Sequence, residues 1–507
     1  MAESSPTASG VQRQLAAVDL GSNSFHLLVA QETGGRLQVL DRIKEMVRLA
    51  EGLDADRVLQ GPAVERAYEC LQRFGQRIRD LPRQNVRVVG TNTLREADNA
   101  DEFLKVAADH LGHGVEVISG LEEARLIYLG VSHAVEDDAT RRLVLDIGGG
   151  STEVILGRRF EPQMLRSLYL GCVEMSQRFF TDGVIEAKKF DRAVSYAMQE
   201  FEAVQLAFKV TGWDAAIGSS GTITAVSNVI NELTPQDVPS ADPTITRQGL
   251  DAIRKHLIKA GQVADIELNG LPNERRAVFP GGVAILQAFF DSFGLEVMGT
   301  TQGALREGLM WDLIGRHHQD DTRNNTVADL AGRYRLDLGQ SRRVRESAIS
   351  LLAQVADDWE LLDSANKLLL TWAADLHEIG MEISHNQYHK HGGYLLQYMD
   401  MPGFTQQDQA QLALLTKAHR RKLPVFEQTP QATRLTRLIT LLRISAVLHR
   451  SRSSEPLPHI SAKVKGNQLI LTFPADWMNQ HPLTRLDLDQ EAAFLSQVPI
   501  ELKVKSG

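Results

Sequence analysis

Three short segments combine glycine with small hydroxyl or amide side chains directly after apolar runs: Ser22-Asn23-Ser24, Gly148-Gly149-Gly150-Ser151-Thr152 and Gly218-Ser219-Ser220-Gly221-Thr222. Glycine lacks the Cβ that keeps a phosphate away from the backbone, so N–H groups in such segments can approach an anion closely. Asp146 and Glu153 bracket the triple glycine. Carboxylate oxygens suit Mg²⁺, which keeps several waters and bridges one or two carboxylates to phosphate oxygens. Asp19 occupies the matching place before Ser22 and is expected to hold a metal-bound water or orient its segment. Arg95 follows the apolar run Val86–Thr91, where a planar guanidinium at a strand end can clamp phosphate oxygens bidentately; Arg48 in MVRLAEGL has a similar, weaker claim.

Positioning these residues calls for strands that end at a common edge. From Leu15 the runs LAAVDLGSNS, HLLVAQETGG and RLQVLDRIKEMVRLAEGL read as a three-stranded meander, with Gly34-Gly35 as a turn. A helix from Pro62 to about Asp80, a strand at Val86–Thr91, a helix around Asp101–Leu111, a strand at Val115–Ser119 and a helix from near Leu121 then alternate, which predicts an α/β lobe. At Arg141 the meander recurs in RRLVLDIGGGSTEVILG and EPQMLRSLYLG, with Asp146 127 positions after Asp19. Such a repeat predicts two related lobes, 13–138 and 139–315, facing one cleft, preceded by a disordered tail at 1–12. The second lobe continues with a long helix near Glu186–Phe208 and the strand-loop AAIGSSGTITA. Residues 316–456 read as helical, with LTRLITLLRISAVLHR as a strong amphipathic helix, and 457–507 as a small β-rich domain with a Gly466-Asn467 turn.

The chain has 507 residues and a formal net charge of −9, so bulk charge does not recruit a polyanion and a nucleic-acid partner is not expected. Phosphate must be held by local groups. Cys70 and Cys172 are the only cysteines and have no metal-ligand spacing, which predicts a reducing, cytoplasmic setting. No apolar run reaches membrane-spanning length, so no transmembrane segment is expected.

The segments AAVDLGSNSFHLLVA, GTNTLREADNA, VISGLEEARLIYLGV, LVLDIGGGSTEVILG, IGSSGTITA, GALREGL and LHEIG resemble the exopolyphosphatase and guanosine pentaphosphate phosphohydrolase family, a branch of the actin-like ATPase and sugar kinase superfamily. The resemblance implies an α/β fold with two actin-like (ribonuclease H-like) lobes around a cleft, then a helical His-Asp-phosphohydrolase-like domain and the small β-rich domain. It places the family's catalytic carboxylate in SGLEEAR, with Glu123 as general base and Glu122 as the alternative. It also implies Mg²⁺ at Asp146 and Glu153, a monovalent cation such as K⁺, a homodimer, and in some members peripheral association with the inner face of the membrane.

DIGGGSTE, HKH and KAHRRK look more like the polymer-degrading members, so the expected activity is processive release of orthophosphate from inorganic polyphosphate. Conversion of guanosine pentaphosphate to tetraphosphate is the sister activity, and an actin-fold phosphotransferase is the rival class. His389, His391, Lys417, Arg420 and Arg421, with neighbouring Lys422, are candidates for guiding a polymer. Glu378 stands where the His-Asp superfamily has its metal-binding aspartate, so no active second metal centre is expected around LHEIG, His385 and His419.

Overall fold

The structure is a computed structural model that describes residues 12–33, 36–233, 244–317, 321–424 and 429–506; the tail at 1–11 and the Gly34-Gly35 turn lie outside them. The chain divides into two units, Met1–Asp321 and Thr322–Gly507.

The first unit holds two sheets. One has the order β3-β2-β1-β4-β5, built from β1 (Arg13–Leu20), β2 (Phe25–Thr33), β3 (Arg36–Glu45), β4 (Val86–Gly90) and β5 (Glu116–Val117). The other has the order β10-β11-β9-β6-β7-β8, from β6 (Arg141–Ile147), β7 (Thr152–Arg158), β8 (Glu161–Leu168), β9 (Ala215–Ser219), β10 (Thr244–Thr246) and β11 (Val297–Thr300). Each sheet begins with an antiparallel meander, β1-β2-β3 and β6-β7-β8, as the repeat predicts.

Strand alternation sorts side chains between cores. Ala16, Val18 and Leu20 of β1 face the first lobe's outer core, packed with the Pro62–Ile78 helix, whereas Leu15 and Ala17 face a shared layer. In β6, Leu143, Leu145 and Ile147 join the second lobe's outer core, and Val144 joins the same shared layer. That layer contains the helices Gly120–Ala134 and Leu305–His317. They cross at glycines: a Cβ on Gly130 would lie 2.1 Å from the Ala304 carbonyl oxygen, and one on Gly308 1.8 Å from that of Leu126. Where they cross, Asp312 accepts from Arg87 (2.6 Å), Arg125 (2.5 Å) and Arg316 (2.8 Å).

The second unit contains helices Thr322–Arg333, Leu338–Val355, Ser364–Leu376, Tyr388–Tyr398, Gln406–Ala418 and Pro430–Leu448, followed by a sheet of β12 (Ser461–Lys465), β13 (Gln468–Phe473) and β14 (Glu501–Ser506). Gly466-Asn467 forms the β12–β13 turn, with Gly466 at φ 58°. Two helices, Ala475–Gln480 and Pro482–Leu495, precede β14, and their apolar residues share one continuous core with the preceding helices.

The Pro430–Leu448 helix is buried on nearly every side instead of being amphipathic. Its polar residues are hidden: Thr436, Thr440 and Ser445 each donate to the carbonyl four residues back at 2.8 Å, and Arg443 is paired with Glu491. Among the described residues no helix is long and apolar enough to cross a membrane.

Candidate active site

In the first unit the strand ends of both sheets open into a cavity of about 370 Å³. Its walls include Asp19, Ser22, Asn23 and Ser24 from the first segment, Asp146 and Gly148–Ser151 from the second, Ser220, Gly221 and Thr222 from the third, and Glu123. Thr152, Glu153, Gly218, Ser219 and Arg95 are not on the wall. Arg48 lines a separate hollow of about 50 Å³ on the other side of Ser22 and Asn23. Its contribution to the first segment is through the backbone: Arg48 N–H donates to the Asn23 carbonyl at 2.8 Å, and Ala50 N–H to that of Ser22 at 3.0 Å.

Close approach at this turn leaves little room for a Cβ, above all at Gly171, where it would meet backbone. A Cβ on Gly150 would stand 2.1 Å from Asn92 Oδ1, and one on Gly171 2.0 Å from the Gly149 carbonyl oxygen. Cys172 N–H and Val173 N–H hold the Gly148 and Gly149 carbonyls at 3.0 and 2.9 Å. The third segment differs from the expected loop, because β9 passes straight into the Ser220–Leu233 helix. Ser220, at φ 93°, absorbs the change of direction, an uncommon and strained conformation for a residue with a Cβ. Ser219 and Thr222 spend their hydroxyls on the fold, donating to the carbonyls of Gly303 (2.9 Å) and Ile147 (3.2 Å).

The geometry separates the two acids of SGLEEAR. Ser119 caps the Gly120–Ala134 helix by accepting from Glu122 N–H at 3.2 Å, so Glu122 and Glu123 share its first turn. Successive helical residues point about 100° apart. Glu122 therefore enters the shared layer, where Arg125 grips it at 2.7 and 2.8 Å, while Glu123 faces the cavity. Arg95, expected to clamp phosphate, donates instead to Glu123 Oε2 at 2.8 Å and to the Ile118 carbonyl at 3.0 Å.

Three further carboxylates, Asp19, Asp146 and Glu153, feel the charge of Glu123. Burial, reinforced by Glu123, pushes Asp19 up to about 8. Asp146 is raised to about 7 by burial, with Glu123 adding to the rise. Burial and the neighbouring Glu123 and Asp146 raise Glu153 well above the carboxylate range, although Ser167 donates to it at 2.8 Å. Asp19 Oδ1 is buried without a hydrogen-bond partner. Crowded, under-partnered carboxylates of this kind fit a divalent cation. Among the described residues no three such groups form a ready-made cage for a metal ion.

Several wall residues carried no assigned role in the sequence reading. Lys44, Arg275 and Arg306 bring positive charge, and Asn92 adds an amide. His26 is the cross-strand neighbour of both Asp19 and Lys44. Arg306 can only donate, so its 3.1 Å contact makes His26 Nδ1 the acceptor and leaves Nε2–H to donate to Ser24 Oγ at 2.8 Å. Burial and Arg306 hold His26 well below its ordinary value, hence neutral. Arg306 lies in GALREGL, and that quoted motif was its only signal; Lys44 and Arg275 arrive from distant, unremarkable segments.

In the second unit, Lys417, Arg421 and Lys422 are exposed, and His391 and Arg420 are half-buried. Arg420 lies 4.7 Å from the centre of the Tyr388 ring. His389 is buried against Tyr388 and His419, which removes it from any surface that could guide a polymer. Glu378 is paired with Arg452, and His377 and His419 bond through Nδ1 to the carbonyls of Ala374 and Thr416 at 2.7 and 2.6 Å.

Fold and site together define a phosphoanhydride hydrolase with an actin-like α/β fold. The chain belongs to the Ppx/GppA phosphatase family, which matches residues 28–317, while the family's domain III matches residues 322–492. A guanosine-5'-triphosphate,3'-diphosphate pyrophosphatase of Pseudoalteromonas translucida (strain TAC 125) is 40% identical over 480 residues, covering 94% of this chain and 95% of the relative. One of the same name from Vibrio vulnificus (strain YJ016) is 38% identical, covering 97% and 98%. The crystal structure of an exopolyphosphatase from Cytophaga hutchinsonii ATCC 33406 matches with a TM-score of 0.55 at 22% identity, over 60% of this chain and 98% of its own, a likeness of fold alone.

Proposed function

We propose that this protein removes the terminal 5'-phosphate of guanosine pentaphosphate, giving guanosine tetraphosphate and orthophosphate. The observation that carries the substrate is the 40% identity, over nearly the whole chain, to a relative named for that pentaphosphate. The observation that carries the chemistry is Glu123, standing on the same cavity wall as residues of the three glycine- and hydroxyl-bearing segments.

In this mechanism Glu123 takes a proton from water as its oxygen forms a bond to the terminal phosphorus, and the bond from that phosphorus to the bridging oxygen breaks. The leaving 5'-diphosphate keeps the electron pair. Arg95 orients Glu123, and Lys44, Arg275, Arg306 and the N–H groups of Gly149–Ser151 and Gly221 balance the phosphate charge. Asp146, Glu153 and Asp19 are the residues that would hold Mg²⁺, which when bound polarises the phosphoryl oxygens. The remainder of the reading is a helical His-Asp-phosphohydrolase-like domain within the second unit, a homodimer, and a cytoplasmic setting in the stringent response.

Polyphosphate is the competing substrate, supported by the exposed Lys417, Arg421 and Lys422. Offering purified protein guanosine pentaphosphate and polyphosphate side by side with Mg²⁺ tests the choice. A kcat/KM at least tenfold higher for the pentaphosphate is expected; the reverse ratio returns the assignment to polyphosphate.

A further inference from the structure

Both meanders carry a third residue in register with the aspartate. In the first sheet the cross-strand series runs Asp19, His26, Lys44, and in the second it runs Asp146, Glu153, Ser167. Residues directly opposite on neighbouring strands share a face, with Cβ atoms about 5 Å apart, so each side chain can reach the next. Lys44 extends to the cavity wall as a cation. Ser167 is short and neutral, and its hydroxyl donates to Glu153 Oε1 at 2.8 Å.

The other side of Ser167 meets the helix that bears Glu123. Gly120 is the first residue of that helix, and a Cβ there would stand 2.5 Å from Ser167 Oγ and 2.6 Å from Ser167 Cβ. The serine side chain fills the space that any other residue at 120 would need. Arg95 Nη2 lies 3.8 Å from the same point, and the Arg95 guanidinium feels the charges of both Glu123 and Glu153. Ser167 thus packs between a carboxylate of the second lobe and the first turn of a helix whose next residues include the base.

We propose that Ser167 is a positioning residue for the hydrolysis, its hydroxyl fixing the Glu153 carboxylate in the orientation that serves a divalent cation with Asp146 and keeping it from Arg95; the inference rests on Glu153 having that metal role. The terminal torsion of a glutamate is broad, so a hydrogen bond is what selects one setting of its oxygens. Without the serine donor the buried carboxylate turns to the guanidinium that already acts on it, because a charge-assisted pair is roughly twice as strong as a neutral hydrogen bond. A divalent cation then has to compete with Arg95 for Glu153.

The test is a Mg²⁺ titration of the purified full chain, read as the rise in melting temperature at pH 8, for the parent, Ser167→Ala, Glu153→Gln and the double variant. Alanine keeps the Cβ that packs against Gly120, so in chelator Ser167→Ala should melt as the parent does. Its half-saturating Mg²⁺ concentration should rise about tenfold, the order of loss when a group that orients a metal ligand is removed. In the Glu153→Gln background the same substitution should add less than twofold, since Ser167 acts through that carboxylate. A value for Ser167→Ala within twofold of the parent's overturns the proposal, as does a tenfold loss repeated in full in the Glu153→Gln background. Parent protein whose melting temperature ignores Mg²⁺ overturns the metal role of Glu153 and this inference with it. Parent protein that responds to Mg²⁺ but releases no phosphate from guanosine pentaphosphate overturns the substrate reading alone, and the comparison of variants still decides the role of Ser167.

Discussion

The two meanders of the first unit share a backbone and diverge in chemistry. In one hairpin Asp19 pairs with His26, and in the other Asp146 pairs with Glu153, each partner seven residues on. One hairpin therefore sets a neutral imidazole behind its aspartate, tied to Arg306 and flanked by Lys44. The other sets a second carboxylate there. Repetition of a fold can supply two matching turns, and a single partner residue then sets a second carboxylate behind one aspartate and a neutral imidazole behind the other.

Glu123 stands on the wall with both hairpins, and removing it gives the largest effect. Glu123→Gln should lower kcat about 10³-fold with KM little changed, measured by phosphate release; activity within tenfold of the parent rejects it as base. Next, Asp146→Asn should raise the Mg²⁺ concentration needed for half-maximal activity 10- to 100-fold, in the range of lost ligand-shell contacts. His26→Gln, at the position matching Glu153, should cost about tenfold in kcat/KM while leaving the Mg²⁺ requirement unchanged. Equal Mg²⁺ shifts in both variants would erase the asymmetry.

Acidity offers a further measure of the same contrast. Asp19 and Asp146 are ordinarily near 3.8 in the unfolded chain and rise to about 8 and about 7 in the fold. The native state therefore holds protons that the unfolded chain releases. Their contribution to stability is full below about pH 4 and is lost as pH rises through 7 to 8. Without divalent ions the melting temperature should fall across that window through these groups, and Mg²⁺ should restore it mainly above pH 7, as thermal melts with and without chelator would register. A smaller, purely structural effect belongs to the shared layer. Asp312→Asn strips a charge from Arg87, Arg125 and Arg316 and should destabilise by about 3 kcal/mol in denaturant titration.

Much of this was legible in the residue order. The recurring Asp-x-Gly turns and the 127-residue repeat are local signals, because a strand-turn-strand unit writes its alternation and its glycines into consecutive positions. The third segment reads as a loop in the sequence, whereas a strand passes directly into a helix through Ser220, which leaves the usual turn residues in view without the usual turn. The contact of Arg95 with Glu123 is not legible in the sequence, because the partner lies 28 residues away, on a helix whose facing the sequence does not specify. The amphipathic reading of the Pro430–Leu448 helix failed for a related reason: its threonines and serine satisfy themselves on the helix backbone, so they do not mark a wet face.

The sequence by itself determined the α/β character of the first unit and its repeated meander, which depend on neighbours in the chain, whereas the proposed catalytic role of the acidic pair rests on the family resemblance. Only the tertiary structure decided which of Glu122 and Glu123 reaches the cavity, because a 100° turn of a helix has meaning only against what surrounds it. It alone brought Lys44, Arg275 and Arg306 to the same cavity, since charges far apart in sequence act on one another only where packing makes them neighbours.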